Sequence, residues 1–366
     1  MQQPHSPLLY SGQTEGGHAA GANLREVALG QALELTYLSH APMGDHRRSF
    51  SMGLLVDGVW QDRWYETRDG RFERESSRFR DRVTPDGSTG FKAEAGRYHL
   101  YVSLACPWAH RTLIMRRLKG LEDMIGLSVV HWIMGEQGWT FEDGPGVIAD
   151  PEGAGFLHQV YARAKPDYTG RVTVPVLWDR QRRTIVSNES SEILRMLGSA
   201  FDGVGATPGD FTPAALLREI DDVNARVYDT VNNGVYKAGF ATSQGVYEAA
   251  VHSLFESLDW LEERLSRRSF LVGERLTEAD IRLVTTLFRF DAVYVGHFKC
   301  NLRRLIDYPE LWDYARALFQ TPGIAGTVDF DHIKGHYYGS HPTINPNRIV
   351  PIGPVLDWEA PARRRV

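Results

Sequence analysis

The fold of this chain is decided by the stretch Tyr98-His99-Leu100-Tyr101-Val102-Ser103-Leu104-Ala105-Cys106-Pro107-Trp108-Ala109-His110-Arg111. Its mostly apolar first half predicts a buried strand over 98–104, followed by a tight corner. A helix is expected to begin near Pro107, because proline lacks the N–H that would have no partner at the first helical position. The stretch therefore predicts a strand, a corner and a helix, with Cys106 at the corner.

Cys106 is a candidate nucleophile. The predicted corner places its sulfur over the free N–H groups of a helix N-terminus, where partial positive charge favours a thiolate. The thiolate is the nucleophilic form of cysteine, and such settings lower the pKa of the thiol. A single cysteine is also commonly a small buried hydrophobic residue. The strand–Cys–Pro–helix context favours chemistry, so we expect a reactive Cys106 with a lowered pKa.

Length and composition exclude several classes of protein. With 366 residues, the chain is long enough for two domains. Its formal net charge of −5 gives no electrostatic reason to expect nucleic acid, and no run of about 18 apolar residues that could span a membrane occurs. The two cysteines, Cys106 and Cys300, do not form a disulfide framework. This usage indicates a reducing compartment, so we expect a cytoplasmic protein, without a metal.

The segments after the corner complete an α/β unit. Residues 112–121 continue the helix, and 127–130 form a strand parallel to the first, which makes a βαβ unit. Residues 172–179 predict a strand that contains Pro175, which is unusual inside a sheet. A cis Val174–Pro175 bond would explain it by turning the strand so that Val174 offers its backbone to a ligand. Residues 184–186 predict the neighbouring strand, and Asn188 opens the next helix.

This order of elements is that of a thioredoxin fold. The second cysteine of a Cys-x-x-Cys pair is replaced by Ala109. Any disulfide formed at Cys106 must therefore be resolved by a thiol from outside the chain. The segment 200–211 predicts a linker, and the residues from there to about 335 predict helices, including a capping box of Thr277 and Asp280. A thioredoxin-like α/β half followed by an all-helical half resembles the architecture of soluble glutathione transferases.

The sequence predicts five segments along the chain. They are a weakly ordered extension at 1–51, an extended arm at 52–96, a thioredoxin-like domain at 97–200, an all-helical domain at 212–335 and an ordered coil at 336–366. The arm alternates aromatic residues with arginines, a pattern that also occurs in proteins that stack on RNA bases. We interpret it instead as an arm whose rings dock on the protein's own surface.

The chain carries a series of distinctive motifs. They are Cys106-Pro107-Trp108-Ala109-His110-Arg111, Gly138-Trp139, Thr173-Val174-Pro175-Val176-Leu177-Trp178-Asp179, Asn188-Glu189-Ser190-Ser191, Val231-Asn232-Asn233-Gly234-Val235-Tyr236-Lys237-Ala238-Gly239-Phe240, Arg289-Phe290-Asp291-Ala292-Val293-Tyr294, His297-Phe298-Lys299-Cys300-Asn301, His336-Tyr337-Tyr338 and Ile344-Asn345-Pro346. In this order they closely resemble the glutathionyl-hydroquinone reductases, the Xi class of glutathione transferases. The resemblance runs from about residue 52 to the end. The family usually starts at a Met-Gly that corresponds to Met52-Gly53, so residues 1–51 depart from it.

The resemblance implies a reductive chemistry with glutathione as co-substrate. Cys106 would attack the glutathionyl sulfur of a glutathionyl-hydroquinone and release the hydroquinone. A second glutathione would then attack the mixed disulfide and release oxidised glutathione, in a ping-pong course. The leaving carbon must accept a proton, so proton-donating groups are expected beside the ring.

The resemblance also implies roles for individual residues. For glutathione, Trp139 would cover the peptide, Val174 would pair with its cysteinyl backbone, and Glu189 and Ser190 would hold the γ-glutamyl end with help from Arg171. On the hydroquinone side we select Tyr236 and Tyr338 as catalytic and substrate-binding residues, with Tyr337 and Tyr294 behind them. Tyrosine offers both a stacking face and a phenolic proton. We expect His110 and Cys300 to be packing residues.

Two other functions remain open from the sequence. One is a general glutathione-dependent thiol transferase or dehydroascorbate reductase of the Omega-like type, which would use the same Cys106. The other is a transferase-like domain without activity that serves as an interaction module. The pocket tyrosines favour the hydroquinone reductase over the first, and the retained nucleophile argues against the second. The resemblance further implies a homodimer formed through the helical domain.

Overall fold

A computed structural model describes residues 53–63 and 67–364 of the chain. The extension predicted at 1–51 lies outside the described residues. The strands, in chain order, are β1 (Leu54–Val56), β2 (Val59–Gln61), β3 (Thr67–Arg68), β4 (Arg71–Phe72), β5 (Val83–Thr84), β6 (Phe91–Lys92), β7 (Tyr98–Val102), β8 (Ile125–Val129), β9 (Gly170–Arg171), β10 (Val176–Asp179) and β11 (Thr184–Ser187). The α-helices are α1 (Pro107–Leu118), α2 (Leu157–Ala164), α3 (Ser190–Ser199), α4 (Leu217–Val227), α5 (Gly234–Gly239), α6 (Gln244–Leu265), α7 (Glu278–Arg289), α8 (Pro309–Phe319) and α9 (Phe330–Ser340).

A four-stranded sheet in the order β11-β10-β7-β8 forms the centre of the first half. β7 pairs with β8 in parallel and with β10 antiparallel, and β11 pairs antiparallel with β10. Every residue of β7 is buried, which explains its apolar sequence. The predicted α/β thioredoxin-like arrangement is confirmed, and it places the C-terminal end of β7 directly before the Cys106 corner.

The N-terminal arm docks on this half through short strands. β1 pairs antiparallel with β2 and with β9, and β5 pairs in parallel with β6. The ring of Phe79 stacks on Tyr168, and the ring of Trp60 stacks on His158. The arm therefore uses these aromatic rings to pack against the protein itself, as interpreted from the sequence.

The second half is helical and contains two wider turns. The sequence predicts one long helix through Val231, but α-helical bonding ends at Val227 and a π-helical turn follows over Tyr228–Asn232. A second π turn, Phe290–Tyr294, follows α7 directly. π turns recur at functional sites, because they displace the side chains that follow them. Here the first lies just before Tyr236, and the second carries Tyr294.

The prediction of coil from residue 336 is wrong for its first residues, because α9 extends to Ser340. Asp329 caps the helix by accepting a hydrogen bond from His332 N at 2.8 Å. Gly335 and Gly339 lower the helix propensity, which suggested coil. However, a Cβ at Gly335 would lie 2.7 Å from Trp132 Cδ1, and one at Gly339 would lie 2.4 Å from Ile133 Cδ1. The glycines allow α9 to pack directly on the segment after β8, and this contact outweighs propensity.

The described chain after α9 is irregular, as expected for the tail. Trp358 anchors it in the core, where its ring contacts those of Phe288 and Trp312. Within residues 53–63 and 67–364, no helix combines the length and apolar character needed to cross a membrane.

Candidate active site

Cys106 lies at the start of α1, as predicted. It is the N-cap residue, with φ −80° and ψ 120°, and proline follows at the start of the helix. The Cys106 carbonyl accepts a hydrogen bond from His110 N at 3.0 Å. Opposite the helix, Cys106 Sγ lies 3.7 Å from the carbonyl oxygen of Val174, and the Val174–Pro175 bond is cis. The corner thus presents the thiol to a cleft bordered by the backbone of Val174.

Burial works against the lowered pKa expected for Cys106. Burial is the largest effect and raises the pKa of the thiol above its ordinary value. The Ala109 N–H, the charge of Arg289, the Trp108 N–H and the charge of Arg74 act in the opposite direction. The expectation considered the helix N-terminus without the loss of water around the sulfur.

The corner is fixed from the helical half by Arg289, which is fully buried. Its guanidinium donates to the carbonyl oxygens of Ala105 at 2.8 Å and Leu104 at 2.9 Å. It also donates to Nδ1 of His110 at 3.1 Å, while Nε2 of His110 lies 2.8 Å from Thr327 Oγ1. Burial lowers the pKa of His110 well below its ordinary value, so the imidazole is neutral. His110 packs the corner against its surroundings, as expected, and does not face the thiol as a base.

Two neighbouring cavities open beside Cys106. The first is lined by residues that include Cys106, Trp139, Val174, Tyr236, His336 and Tyr337. The second is lined by residues that include Arg171, Val174, Glu189 and Ser190. Val174 and Trp108 line both cavities, so the two form one continuous cleft. The cleft brings together the residues predicted for glutathione and two of the four predicted tyrosines.

Glu189 and Ser190 begin α3. The Glu189 carboxylate caps the helix by accepting from Ser191 N at 3.1 Å, and it also accepts from Ser77 Oγ at 3.1 Å. Burial opposes its ionisation, but the hydrogen bonds from Ser191 and Ser77 and the charge of Arg111 lower the pKa of Glu189. The second cavity therefore holds a carboxylate that stays anionic at neutral pH, beside the N-terminus of a ten-residue helix.

Arg171 lies on the other side of this cavity and is buried. Its Nε donates to Glu75 Oε1 at 3.1 Å, and its Nη1 donates to the Arg63 carbonyl at 2.5 Å. Both partners belong to the N-terminal arm, so Arg171 ties the arm to the rim of the cavity. Arg74 and Glu75 also line the second cavity, so its walls carry two cations and two anions, which suits a zwitterionic ligand.

Three tyrosines form a hydrogen-bonded group behind the first cavity. Tyr337 Oη lies 2.5 Å from Tyr236 Oη and 3.0 Å from Tyr294 Oη. Burial raises the pKa of all three phenols, so each keeps its proton at neutral pH. Tyr236 and Tyr337 line the cavity, and Tyr294 lies behind them, fully buried.

Tyr338 is not where the sequence prediction put it. Its hydroxyl lies 3.5 Å from the Ala292 carbonyl, and its ring contacts His297, away from the residues that line the Cys106 cavity. Consecutive residues of a helix point about 100° apart, so α9 can turn only one of the adjacent tyrosines to the cleft. That residue is Tyr337. The selection of Tyr338 failed because the 336–340 segment was not recognised as a helix.

Trp139 is buried and stacks on His336, with ring centroids 4.8 Å apart. His336 comes from α9 and belongs to the motif His336-Tyr337-Tyr338, but the sequence predicted no site role for it. Arg74 was missed as well, although it belongs to the alternating arm. Its guanidinium lies 4.8 Å from the Trp108 ring centroid and 5.1 Å from that of Tyr236, and it lines both cavities. The arginine–aromatic alternation was the signal for Arg74.

Other candidate sites carry less chemistry. Cys300 is fully buried, and burial raises its pKa far above the ordinary value, which fits the predicted packing role. A larger cavity of about 660 Å³ lies between the arm and α6, and it is lined by residues such as Lys237 and Ala249 without a nucleophilic thiol. Among the described residues, no three His, Cys, Asp or Glu side chains are grouped so that they could hold a metal ion.

Comparisons with known proteins agree with this geometry. Residues 105–200 match the family model "Glutathione S-transferase, N-terminal domain", and residues 244–317 match "Glutathione S-transferase, C-terminal domain". The chain is 58% identical over 306 residues to the glutathionyl-hydroquinone reductase PcpF of Sphingobium chlorophenolicum, which covers 83% of this chain and 96% of the relative. It is 57% identical over 325 residues to the glutathionyl-hydroquinone reductase YqjG of Escherichia coli, and the match covers 86% of this chain and 99% of YqjG.

Solved structures give the same result. The glutathione-bound structure of YqjG from Escherichia coli superposes with a TM-score of 0.80 at 55% identity and covers 85% of this chain and 99% of that one. A Xi-class glutathione transferase from Natrialba magadii superposes with a TM-score of 0.82 at 48% identity, covering 87% and 98%. The chain therefore belongs to the glutathione transferase superfamily and, within it, to the family of the Xi-class glutathionyl-hydroquinone reductases.

Proposed function

We infer that this protein is a glutathione-dependent reductase that removes glutathione from glutathionyl-hydroquinones. The observation that carries the inference is a single cleft that holds the Cys106 thiol and the hydrogen-bonded phenols of Tyr236 and Tyr337. A thiol alone is sufficient to exchange disulfides. Cleavage of a carbon–sulfur bond also needs a proton for the leaving carbon, and the phenols supply it.

In the first half-reaction the Cys106 thiolate attacks the glutathionyl sulfur of the conjugate. A disulfide forms between Cys106 and glutathione as the bond from sulfur to the ring carbon breaks. The electron pair of that bond goes to the ring carbon, which takes a proton from the Tyr236–Tyr337 pair. The product is the free hydroquinone. Tyr294, which is hydrogen-bonded to Tyr337, stabilises the Tyr337 phenol in the orientation from which the proton is donated.

In the second half-reaction the thiolate of a second glutathione attacks the sulfur of the bound glutathione. Oxidised glutathione leaves, the Cys106 thiolate is restored, and the proton lost by the thiol of the second glutathione returns to the Tyr236–Tyr337 pair. The resolving thiol comes from outside, because Ala109 stands in the position of a second active-site cysteine and Cys300 is buried away from the cleft. The sum is the conjugate plus glutathione giving the hydroquinone plus oxidised glutathione, which balances in atoms and electrons.

The roles of the glutathione-binding residues are part of the proposal. Val174 offers its backbone to the cysteinyl residue of glutathione, as it borders Cys106 across the cleft. The Glu189 carboxylate receives the α-ammonium group of the γ-glutamyl end, and Ser190 at the helix N-terminus receives its carboxylate. Arg171 supports the carboxylates by charge, and Trp139 covers the peptide.

A second candidate is a general thiol transferase or dehydroascorbate reductase, because Cys106 serves either activity. A mass-spectrometric assay with the glutathionyl conjugate of menadiol, the hydroquinone form of menadione, and glutathione separates the two functions. We expect equimolar menadiol and oxidised glutathione, with a glutathione adduct on the protein before the second thiol is added. Reduction of small glutathione disulfides without release of menadiol would contradict the proposed function and support the thiol transferase.

Location and assembly follow from the same proposal. The proposed reaction consumes reduced glutathione, so we propose that the protein acts in the cytoplasm, where that thiol is kept reduced. We propose domain limits at 97–200 and 212–335 and a homodimer formed through the helical domain. Its protomers act independently, because every residue of the proposed mechanism comes from one chain. Light scattering together with steady-state kinetics of the protein lacking residues 2–51 tests both points. An active dimer is expected, and a monomeric or inactive protein would contradict the proposal.

A further inference from the structure

His336 has a defined tautomer in this structure. Its Nδ1 lies 2.8 Å from the carbonyl oxygen of Trp132. A carbonyl oxygen can only accept a hydrogen bond, so Nδ1 carries the hydrogen. Burial is the largest influence on the imidazole and lowers its pKa to about 4, so the ring is neutral at physiological pH. A neutral imidazole with its hydrogen on Nδ1 has a lone pair on Nε2, which makes Nε2 a hydrogen-bond acceptor.

The ring is also held in a fixed orientation. Trp139 stacks on one face, with an angle of 26° between the planes, and Tyr337 contacts an edge at 5.3 Å between centroids. His336 lines the cavity that contains Cys106, whereas Trp132, the partner of Nδ1, does not line it. Nε2 is on the opposite edge of the ring from Cβ, and in the described part of the chain it makes no hydrogen bond. The cavity therefore contains phenolic donors from Tyr236 and Tyr337 and an acceptor from His336.

We propose that His336 recognises the aromatic part of the conjugate by accepting a hydrogen bond at Nε2 from a ring hydroxyl of the hydroquinone. The proposal rests on the proposed function and adds the group that selects its substrate. A hydroquinone has hydroxyl donors, whereas a quinone has carbonyl oxygens that only accept. An acceptor at Nε2 favours the reduced ring, since a carbonyl oxygen facing this lone pair would be repelled and left unpaired. His336 would therefore select conjugates of hydroquinones over those of quinones.

The test uses the full-length protein with His336 changed to Asn. The Asn amide can still donate to the Trp132 carbonyl from the place of Nδ1, but it has no atom at the place of Nε2. His332→Gln is the matched control, because His332 is a buried histidine on the same helix whose Nε2 contacts the Pro145 carbonyl away from the cavity, and the Gln amide can donate to that carbonyl from the place of Nε2. The substrates are a glutathionyl-hydroquinone and the mixed disulfide of glutathione with 2-mercaptoethanol.

We expect kcat/KM of His336→Asn for the conjugate to fall about tenfold, the size of one lost hydrogen bond, with the disulfide reaction unchanged. Free hydroquinone and 1,4-dimethoxybenzene are then compared as inhibitors of the disulfide reaction. The wild type should be inhibited more strongly by hydroquinone than by 1,4-dimethoxybenzene. In His336→Asn the ratio of the two inhibition constants should fall about tenfold. An unchanged inhibitor ratio, or an equal loss on both substrates, would overturn the proposal. If the wild type releases no hydroquinone, the proposed function fails, while the inhibitor ratio still decides the role of His336.

Discussion

Tyr337 and Tyr236 are 101 residues apart in the chain, and their phenolic oxygens lie 2.5 Å apart in the cleft. The neighbouring Tyr338 makes no such contact with any described residue, because its hydroxyl is directed to the Ala292 carbonyl. The two adjacent tyrosines of α9 are therefore a natural pair of target and control for the proton-donating role.

Tyr337→Phe should lower kcat/KM for a glutathionyl-hydroquinone by about a hundredfold, because it removes a proton donor to the ring carbon. Reduction of a small glutathione disulfide should change less than about threefold, since its leaving thiol needs no phenol. Tyr338→Phe is the control and should leave both rates near those of the wild type. A stronger effect from Tyr338→Phe would show that the wrong tyrosine had been assigned to the cleft.

Cys106→Ser should abolish turnover of both substrates, because serine is a poor nucleophile toward sulfur and forms no disulfide. Cys300→Ser should keep most of the activity, as Cys300 is a buried packing residue. Intact-mass measurement after treatment with oxidised glutathione should find one glutathione adduct on the wild type and on Cys300→Ser. An adduct retained by Cys106→Ser would contradict the assignment of the nucleophile.

Arg74→Gln should slow the alkylation of Cys106 by iodoacetamide at fixed pH. The charge of Arg74 opposes the effect of burial on the thiol, so its removal raises the pKa of Cys106 further and leaves less thiolate. Arg74→Lys should restore part of the rate, and Arg80→Gln on the same arm is the control, because Arg80 pairs with Glu192. The measurement is the pH profile of alkylation in a Cys300→Ser background. A profile that moves to lower pH in Arg74→Gln would refute this role.

The stability of the protein should fall on mild acidification. Burial lowers the pKa of His99, His297 and His336 to about 4, and it lowers those of His110 and His341 well below their ordinary values. The unfolded chain binds protons at these residues near pH 6.5, whereas the folded chain does not. Their contribution to the free energy of unfolding is therefore complete above pH 6.5. It is lost as the pH falls toward 4, by about 1.4 kcal/mol per pH unit for each histidine.

Urea unfolding at pH 7.5 and 5.5 measures this effect as a lower midpoint at the acidic pH. His99→Gln should reduce the difference between the urea midpoints at the two pH values by the amount that one buried histidine contributes. His99 suits this purpose because it contacts Ser128 and Arg180, away from the cleft. Identical pH slopes in the variant and the wild type would contradict the burial argument.

The local parts of the site were predictable from the sequence. The Cys106 corner and the start of α3 depend on signals within a few residues, namely a proline at a helix start and a capping acidic residue. The cis Val174–Pro175 bond was likewise suggested by a proline within an apolar strand. In each case the backbone conformation follows from neighbouring residues in the chain.

The parts that were missed depend on contacts distant in the chain. α9 was mistaken for coil, because the packing of Gly335 on Trp132 cannot be recognised from local propensity. Without a predicted helix, the sequence could not show which of Tyr337 and Tyr338 faces the cleft. The effect of burial on the pKa of Cys106 had the same origin, since side chains from both halves of the protein line the cavity around the thiol.

α9, which its glycines allow to pack closely on the segment after β8, brings side chains to the cleft that are separate from the nucleophile. In the proposed reaction the nucleophile for sulfur exchange belongs to the α/β half, whereas two of the three side chains proposed to act on the aromatic ring, His336 and Tyr337, belong to α9, and the third, Tyr236, belongs to α5. Changes confined to this helix would alter the repertoire of aromatic substrates and leave the redox competence of the thiol intact. Laboratory evolution toward new conjugates should therefore accumulate its first substitutions in α9 rather than around the nucleophile.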